Sequence, residues 1–159
     1  FSGINNDSIL KLIATLRFLP LIFGVWFFAK KEGKLLIVPA LSILAFNLHP
    51  VGRTVWFYSL FWIIPFLVWP FRDRFLIARS MGATMTSHAV GGAVWIWAFN
   101  LPANVWLTLI PVVILERSIF TLGISASYIL MNNVLGYLSG KKLVPKGITF
   151  DKKYYLLKS

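Results

Sequence analysis

The 159-residue sequence contains no cysteine and only five acidic residues. The absence of cysteine excludes disulfide bonds, zinc sites with thiolate ligands and a cysteine nucleophile. Charged residues make up 13% of the chain, about half the share of an ordinary soluble domain. By contrast, 58% of the residues are apolar and the mean hydropathy is +0.76. This composition predicts an all-α, polytopic integral membrane protein rather than a soluble globular domain.

The sequence has sixteen Lys and Arg and five Asp and Glu, so its formal net charge is +11. The basic residues lie at the ends of apolar runs and not on one polar face, so they indicate membrane orientation rather than nucleic-acid binding. No HExxH, GxSxG or phosphate-binding glycine loop occurs in the sequence, and no pair of aspartates is placed to hold a divalent ion. We therefore assign no catalytic residue and no metal ligand, and an enzyme is disfavoured. The sequence identifies no cofactor.

Five apolar segments approach the length of about 20 residues that a helix needs to cross a bilayer. They cover about residues 9–29, 35–48, 54–71, 75–99 and 105–138. The last segment is too long for one perpendicular crossing, but residues 105–115 alone are too short for a separate one. We favour a single helix that is tilted, kinked near Pro111 or extended past the bilayer, with a hairpin folded at Glu116-Arg117 as the alternative. The predicted fold is a bundle of about five transmembrane helices, or six if another helix precedes Phe1.

Positive charge predicts how these helices are oriented. The basic turns at residues 30–34 and 72–79 and the basic tail should face the cytoplasm, whereas the uncharged turn at Asn100 should lie outside. We assign residues 1–140 to a transmembrane helical domain and residues 141–159 to a basic cytoplasmic tail. The six lysines of the tail are also expected to attract anionic lipid headgroups.

Glu116 and Arg117 lie within the last apolar segment, where an unpaired charge is expensive. Neighbouring residues point about 100° apart around a helix, so we expect each of the two to find its partner on another helix. Arg17, in the first segment, is the expected cation for Glu116. The alternative is a salt bridge between helices that serves packing alone.

The fourth segment combines small and polar side chains. Two series repeat every four positions and so occupy single helix faces: the small residues Ala83, Ser87 and Gly91, and the polar residues Ser80, Thr84 and His88. The small series predicts close contact with another helix. We predict that the polar series forms a ligand-binding site together with Glu116 and Arg117. The alternative for His88 is a buried histidine that is hydrogen-bonded across helices, whereas His49 is expected at the surface.

These features predict a small integral membrane subunit that binds or passes a small polar or anionic ligand between its helices and works with partner proteins. The short helices, the helix of small residues and the basic tail are similar in architecture to the substrate-capture subunits of prokaryotic vitamin importers. This resemblance implies a transport-type role and assigns no individual residue.

Two other functions remain open. One is a structural or accessory subunit of a larger membrane complex, in which the same polar residues hold helices together. The other is a membrane enzyme that uses His88 and Glu116. The expected partners are the lipid bilayer and other membrane subunits, and not nucleic acid.

The predicted topology can be tested directly because the chain has no native cysteine. We predict that Lys31→Cys, Arg74→Cys and Lys142→Cys react with a membrane-impermeant thiol reagent from one side of the membrane, and that Asn100→Cys reacts from the other side. Labelling of positions 31 and 142 from opposite sides would contradict a single crossing by the last segment.

Overall fold

The computed structural model describes residues 14–145 and 151–156, apart from the side chain of Lys152. All regular secondary structure in this part of the chain is helical, which confirms the all-α prediction. The α-helices are α1 (Leu19–Ala29), α2 (Ile37–Leu48), α3 (Pro50–Thr54), α4 (Ile64–Val68), α5 (Leu76–Phe99) and α6 (Ala103–Gly140). Short 3-10 helices cover Gly33–Leu36, Trp56–Ile63, Trp69–Phe71 and Lys152–Tyr154.

Within the described residues, one helix is both long and apolar enough to cross a membrane. This helix, α6, has 38 residues, which corresponds to a length of about 57 Å at 1.5 Å per residue. Only 11% of its most apolar stretch is buried inside the protein, so α6 is not the covered core helix of a soluble fold. Shorter apolar helical stretches cover residues 14–29, 33–48 and 56–71. The number of membrane crossings stays a prediction.

Helix α6 also decides how the last apolar segment is folded. It runs without interruption from Ala103 to Gly140, with Pro111 inside it. The alternative of a hairpin folded at Glu116-Arg117 is therefore wrong.

The third apolar segment is not one regular α-helix. It passes from α3 through the 3-10 helix Trp56–Ile63 to α4, and ends in a second 3-10 helix, Trp69–Phe71. Pro65 lies in the first turn of α4, where its missing amide hydrogen breaks no helical bond. Pro70 lacks the amide hydrogen that would continue the α-helical ladder, and the helix changes there to the 3-10 type.

His49 forms the turn between α2 and α3. The following Pro50 favours extended backbone at His49, and this conformation ends α2. His49 is also the N-cap of α3. The Nδ1 atom of His49 accepts a hydrogen bond from the Val51 amide at 3.2 Å, and the ring packs edge-on against Trp97. The His49 side chain is buried, so the expectation of a surface histidine is wrong.

Helix α5 is the centre of the bundle and packs against α1, α2, α4 and α6. Most of its buried residues are small or polar: Ser80, Gly82, Ala83, Thr84, Thr86, Ala89 and Gly92. The two glycines among them face bulky aromatic side chains from other helices. A Cβ atom at Gly92 would overlap the Trp62 ring, and one at Gly82 would overlap the Phe27 ring. Small residues on α5 therefore make room for large residues around it.

Helix α1 lies on the small face of α5 formed by Ala83, Ser87 and Gly91. A Cβ atom at Gly24 of α1 would come within 3.0 Å of the Ser87 Cβ and 3.1 Å of the Ala83 carbonyl oxygen. At Gly91 an added Cβ would lie 3.6 Å from the nearest atom of Pro20, an ordinary contact distance. The two helices therefore approach closely at Gly24, whereas Gly91 leaves more room than its place in the series predicts.

Arg72, which precedes α5, satisfies the carboxyl end of α1. Its guanidinium donates hydrogen bonds to the carbonyl oxygens of Lys30 at 2.6 Å and Phe27 at 2.7 Å. It also lies over the rings of Phe27 and Trp69, and the residue is only 3% exposed. The last carbonyl groups of a helix have no partner within the helix, so a buried helix end needs such donors.

Arg79, in the first turn of α5, caps the same helix end. Its Nε atom donates to the Phe28 carbonyl oxygen at 2.7 Å. The Arg79 guanidinium also lies over the rings of Phe28 and Tyr128, the latter on α6. One side chain thus connects α1, α5 and α6.

The last described residues fold back along α6. The side-chain amide of Asn132 exchanges two hydrogen bonds with the backbone of Asp151, both of 2.9 Å. The amide of Asn133 donates to the Tyr154 carbonyl oxygen and accepts from the Leu156 amide, both at 2.8 Å. The two asparagines therefore attach this part of the predicted basic tail to the helix.

Basic segments from three parts of the chain meet at one end of the bundle. Lys31 forms a 2.6 Å ion pair with Asp73, and its hydrogen bond lowers the pKa of the Asp73 carboxyl. Lys153 donates to the carbonyl oxygens of Asp73 and Arg74. Asn100 ends the 24-residue α5, which places it about 36 Å away along the helix.

We predict that Arg72→Lys destabilises the protein, because one ammonium group cannot reproduce the forked contacts of a guanidinium. An unpaired buried carbonyl group costs about 1–3 kcal/mol, so the midpoint of thermal unfolding in detergent should fall by several degrees. Arg74→Lys is the matched control, since Arg74 is exposed. Equal midpoints for the two variants would contradict the capping role of Arg72.

Candidate functional site

A groove of about 420 Å³ opens between α1 and α6, with α5 between them. Most of its lining is apolar: Leu21, Gly24, Val25, Phe28, Ala29, Ala83, Phe120 and Ile124. Three polar side chains complete it: Thr84, Ser87 and Arg117. The volume lies within the range of roughly 300–1,000 Å³ that is typical of small-molecule sites.

The groove follows from the side chains of α5. Helix α1 packs on the small face of α5, and α6 packs on the neighbouring polar face. The small residues Gly24, Ala29 and Ala83 do not fill the space that remains between α1 and α6. The small face and the polar face of α5 thus bind α1 and α6 and leave a gap between these two helices.

Arg117 forms one wall of the groove. Its Nη2 atom pairs with Glu116 Oε2 at 2.7 Å, and its Nη1 atom donates to Thr84 Oγ1 at 3.3 Å. The guanidinium also lies over the Phe120 ring. The Arg117 side chain is 13% exposed, and its buried Nε atom has no hydrogen-bond partner among the described residues. The groove therefore has a donor-rich group set into an apolar wall.

The pairing of Glu116 with Arg117 corrects the expectation that the two would not pair with each other, whereas Arg117 also has the expected partner on another helix, Thr84. The Cβ atoms of neighbours diverge around a helix, but these two side chains are long enough to bend toward each other. Arg17 is not the cation for Glu116: its guanidinium lies over the ring of Phe18.

The polar face of α5 contacts several parts of the fold. Ser80 is fully buried and accepts a 2.8 Å hydrogen bond from a serine of α6. The His88 Nε2 atom lies 3.3 Å from the Tyr58 hydroxyl, which belongs to the aromatic core. Of the five residues predicted to bind a ligand, Thr84 and Arg117 line the groove, and Ser80, His88 and Glu116 do not. The structure does not bring all five into one cavity.

His88 lies against the large aromatic residues of the core. Its ring is 5.8 Å from the Tyr58 ring and 6.1 Å from the Trp62 ring, measured between centroids. The Tyr58 contact matches the alternative interpretation of a histidine hydrogen-bonded across helices, but the His88 side chain is half-buried and not fully buried. The imidazole therefore contributes to packing between α5 and the segment before α4.

Ser87 is the functional candidate that the sequence pattern assigned to another role. It belongs to the small series, yet its side chain lines the groove, and its hydroxyl makes no hydrogen bond within the described part of the chain. In the sequence, only the position of its hydroxyl, one turn from that of Thr84, indicates that Ser87 belongs to the site. Nothing in the sequence distinguishes the lining residues Phe28 and Phe120 from other apolar residues.

No group of three or more His, Cys, Asp or Glu side chains in residues 14–145 and 151–156 is arranged to hold a metal ion. No family model, no curated protein and no solved structure matches this chain. The groove is therefore interpreted from its own geometry.

We predict that Arg117→Leu lowers stability more than the double change Glu116→Leu/Arg117→Leu. The single change leaves the carboxylate without its partner, whereas the double change removes both charges. The difference should be about 1–3 kcal/mol, measured as unfolding midpoints in detergent. Additive effects of Glu116→Leu and Arg117→Leu would show that the pair is not coupled.

Proposed function

We propose that this chain is a polytopic α-helical membrane protein that binds an apolar molecule with a hydrogen-bond acceptor in the groove between α1 and α6. In this proposal it is the ligand-binding subunit of a transport-type complex. The observation that carries the proposal is the groove itself, in which apolar walls surround the donors Thr84, Ser87 and Arg117.

The outer surface of the bundle supports insertion into a membrane. Large apolar residues on several helices are more than half exposed, among them Leu21, Ile22, Val25, Leu41, Leu44, Leu67, Leu115, Leu122 and Leu130. Soluble monomers rarely expose continuous apolar surface on this scale. The basic end of the bundle, with its docked tail, would then lie at the cytoplasmic surface beside anionic lipid headgroups.

The chemistry of the groove favours a ligand that enters from the hydrocarbon phase. The helices on both sides of the opening have apolar outer faces, so in a bilayer the groove opens toward lipid. Glu116 already balances the charge of Arg117, and a neutral acceptor such as a carbonyl oxygen therefore fits better than a free anion. The proposed ligand is more apolar than the small polar or anionic molecule expected from the sequence.

The test is the set of small molecules that the protein retains when purified from its native membrane. Ile124→Trp fills the groove and should deplete a retained molecule severalfold relative to the wild type, as measured by mass spectrometry. Leu130→Trp is the matched control, because Leu130 lies on the same helix, is 62% exposed and does not line the groove. The same retained molecules in all three proteins would contradict the proposal.

An accessory or structural subunit is the second candidate function. The observation that favours it is that polar residues of α5 already have partners inside the protein: Ser80 bonds to α6, Thr84 to Arg117 and His88 to Tyr58. Under this alternative the groove holds only bulk lipid chains. Ile124→Trp would then leave the retained molecules unchanged.

A further inference from the structure

Glu116 presents a charged group to the outside of α6. Its side chain is 45% exposed even though it pairs with Arg117. Val112, Leu115 and Ile119, on the surrounding surface, are apolar and more than half exposed. Glu116 lies about 20 Å from the start of α6 along the helix, far from the basic end of the bundle. In hydrocarbon such a carboxylate needs a further polar partner.

The same face of α6 continues with small side chains. Gly123 follows Glu116 by two turns, and no atom lies within 4 Å of the position that a Cβ would occupy there. Ser127, one turn further, is exposed. Small residues on a membrane helix let the backbone of another helix approach closely. A charged group that lacks a full set of partners and an open surface therefore lie on one helix face.

We propose that the face of α6 from Glu116 to Ser127 binds a transmembrane helix of a different protein, which donates a hydrogen bond to the Glu116 carboxylate. The proposal rests on the membrane insertion included in the proposed function. It adds the position of the partner and the chemistry that recognises it. The ligand groove borders this face on α6, where Phe120 and Ile124 line it.

A second copy of this chain is a poorer occupant of the same face. In a twofold-symmetric pair the same patch meets itself. The two Glu116 carboxylates would then approach each other in a medium of low dielectric constant, where like charges repel strongly. A different chain that brings a donor avoids this repulsion.

The test uses a photo-crosslinking amino acid at Ile119 in the native membrane, with the same group at Leu41 as the control on an exposed part of α2. The expected adduct at position 119 contains an apolar membrane segment of another protein with a hydrogen-bond donor near the linked residue. Gly123→Leu should reduce the yield of this adduct at least tenfold by blocking close approach. Gly33→Leu is the matched control, because Gly33 is equally open and lies at the basic end.

The stability of each variant and its retained groove molecule are measured in the same preparations. Gly123→Leu should unfold at the wild-type midpoint and keep the groove molecule, so loss of the adduct reports on the partner alone. If Gly123→Leu does not fold, Ser127→Leu serves as the second variant on the same face. The proposal would be overturned by adducts with lipid only, with this same chain or with a segment that has no donor. It would also be overturned if the folded variant gave the adduct in unchanged yield.

Discussion

The carboxyl end of α1, and the two arginines that satisfy it, hold the rest of the structure in position. Arg72 and Arg79 bring the turn before α5 against the last carbonyl groups of α1, and this contact sets how α1 lies along α5. The groove depends on that placement, because α1 supplies one of its walls. A helix end buried without such donors would leave carbonyl groups unpaired, so both arginines contribute to folding.

The second constraint is the difference in size between α5 and its neighbours. Gly82 and Gly92 on α5 leave room for the large rings of Phe27 and Trp62, and this complementarity fills part of the interior. Where α1 and α6 diverge over α5, no large side chain fills the gap, and the groove results. Packing and the candidate binding site are therefore consequences of the same helix composition.

The Glu116–Arg117 pair connects the two proposals. Its guanidinium forms part of the groove wall, whereas its carboxylate is exposed on the outer face of α6. The pair therefore has one charged group at each of the two proposed binding surfaces.

The sequence alone determined the helical class, the approximate bounds of α2, α5 and α6, and the residue series that place α1 and α6 on separate faces of α5. These features depend on local periodicity and on breakers such as the Asn100 turn, which the order of residues specifies directly. The sequence also indicated Thr84 and Arg117, which line the groove, because a polar residue within an apolar helix needs a partner.

Only the tertiary structure decided how the polar groups pair. No repeat in the sequence predicts the bond between Glu116 and Arg117 or the burial of His49. The same holds for the attachment of the tail by Asn132 and Asn133 and for the capping of α1 by Arg72. Long side chains have many rotamers, and a buried donor binds whichever acceptor the packed helices bring within reach. Partner choice is therefore a property of the assembled bundle.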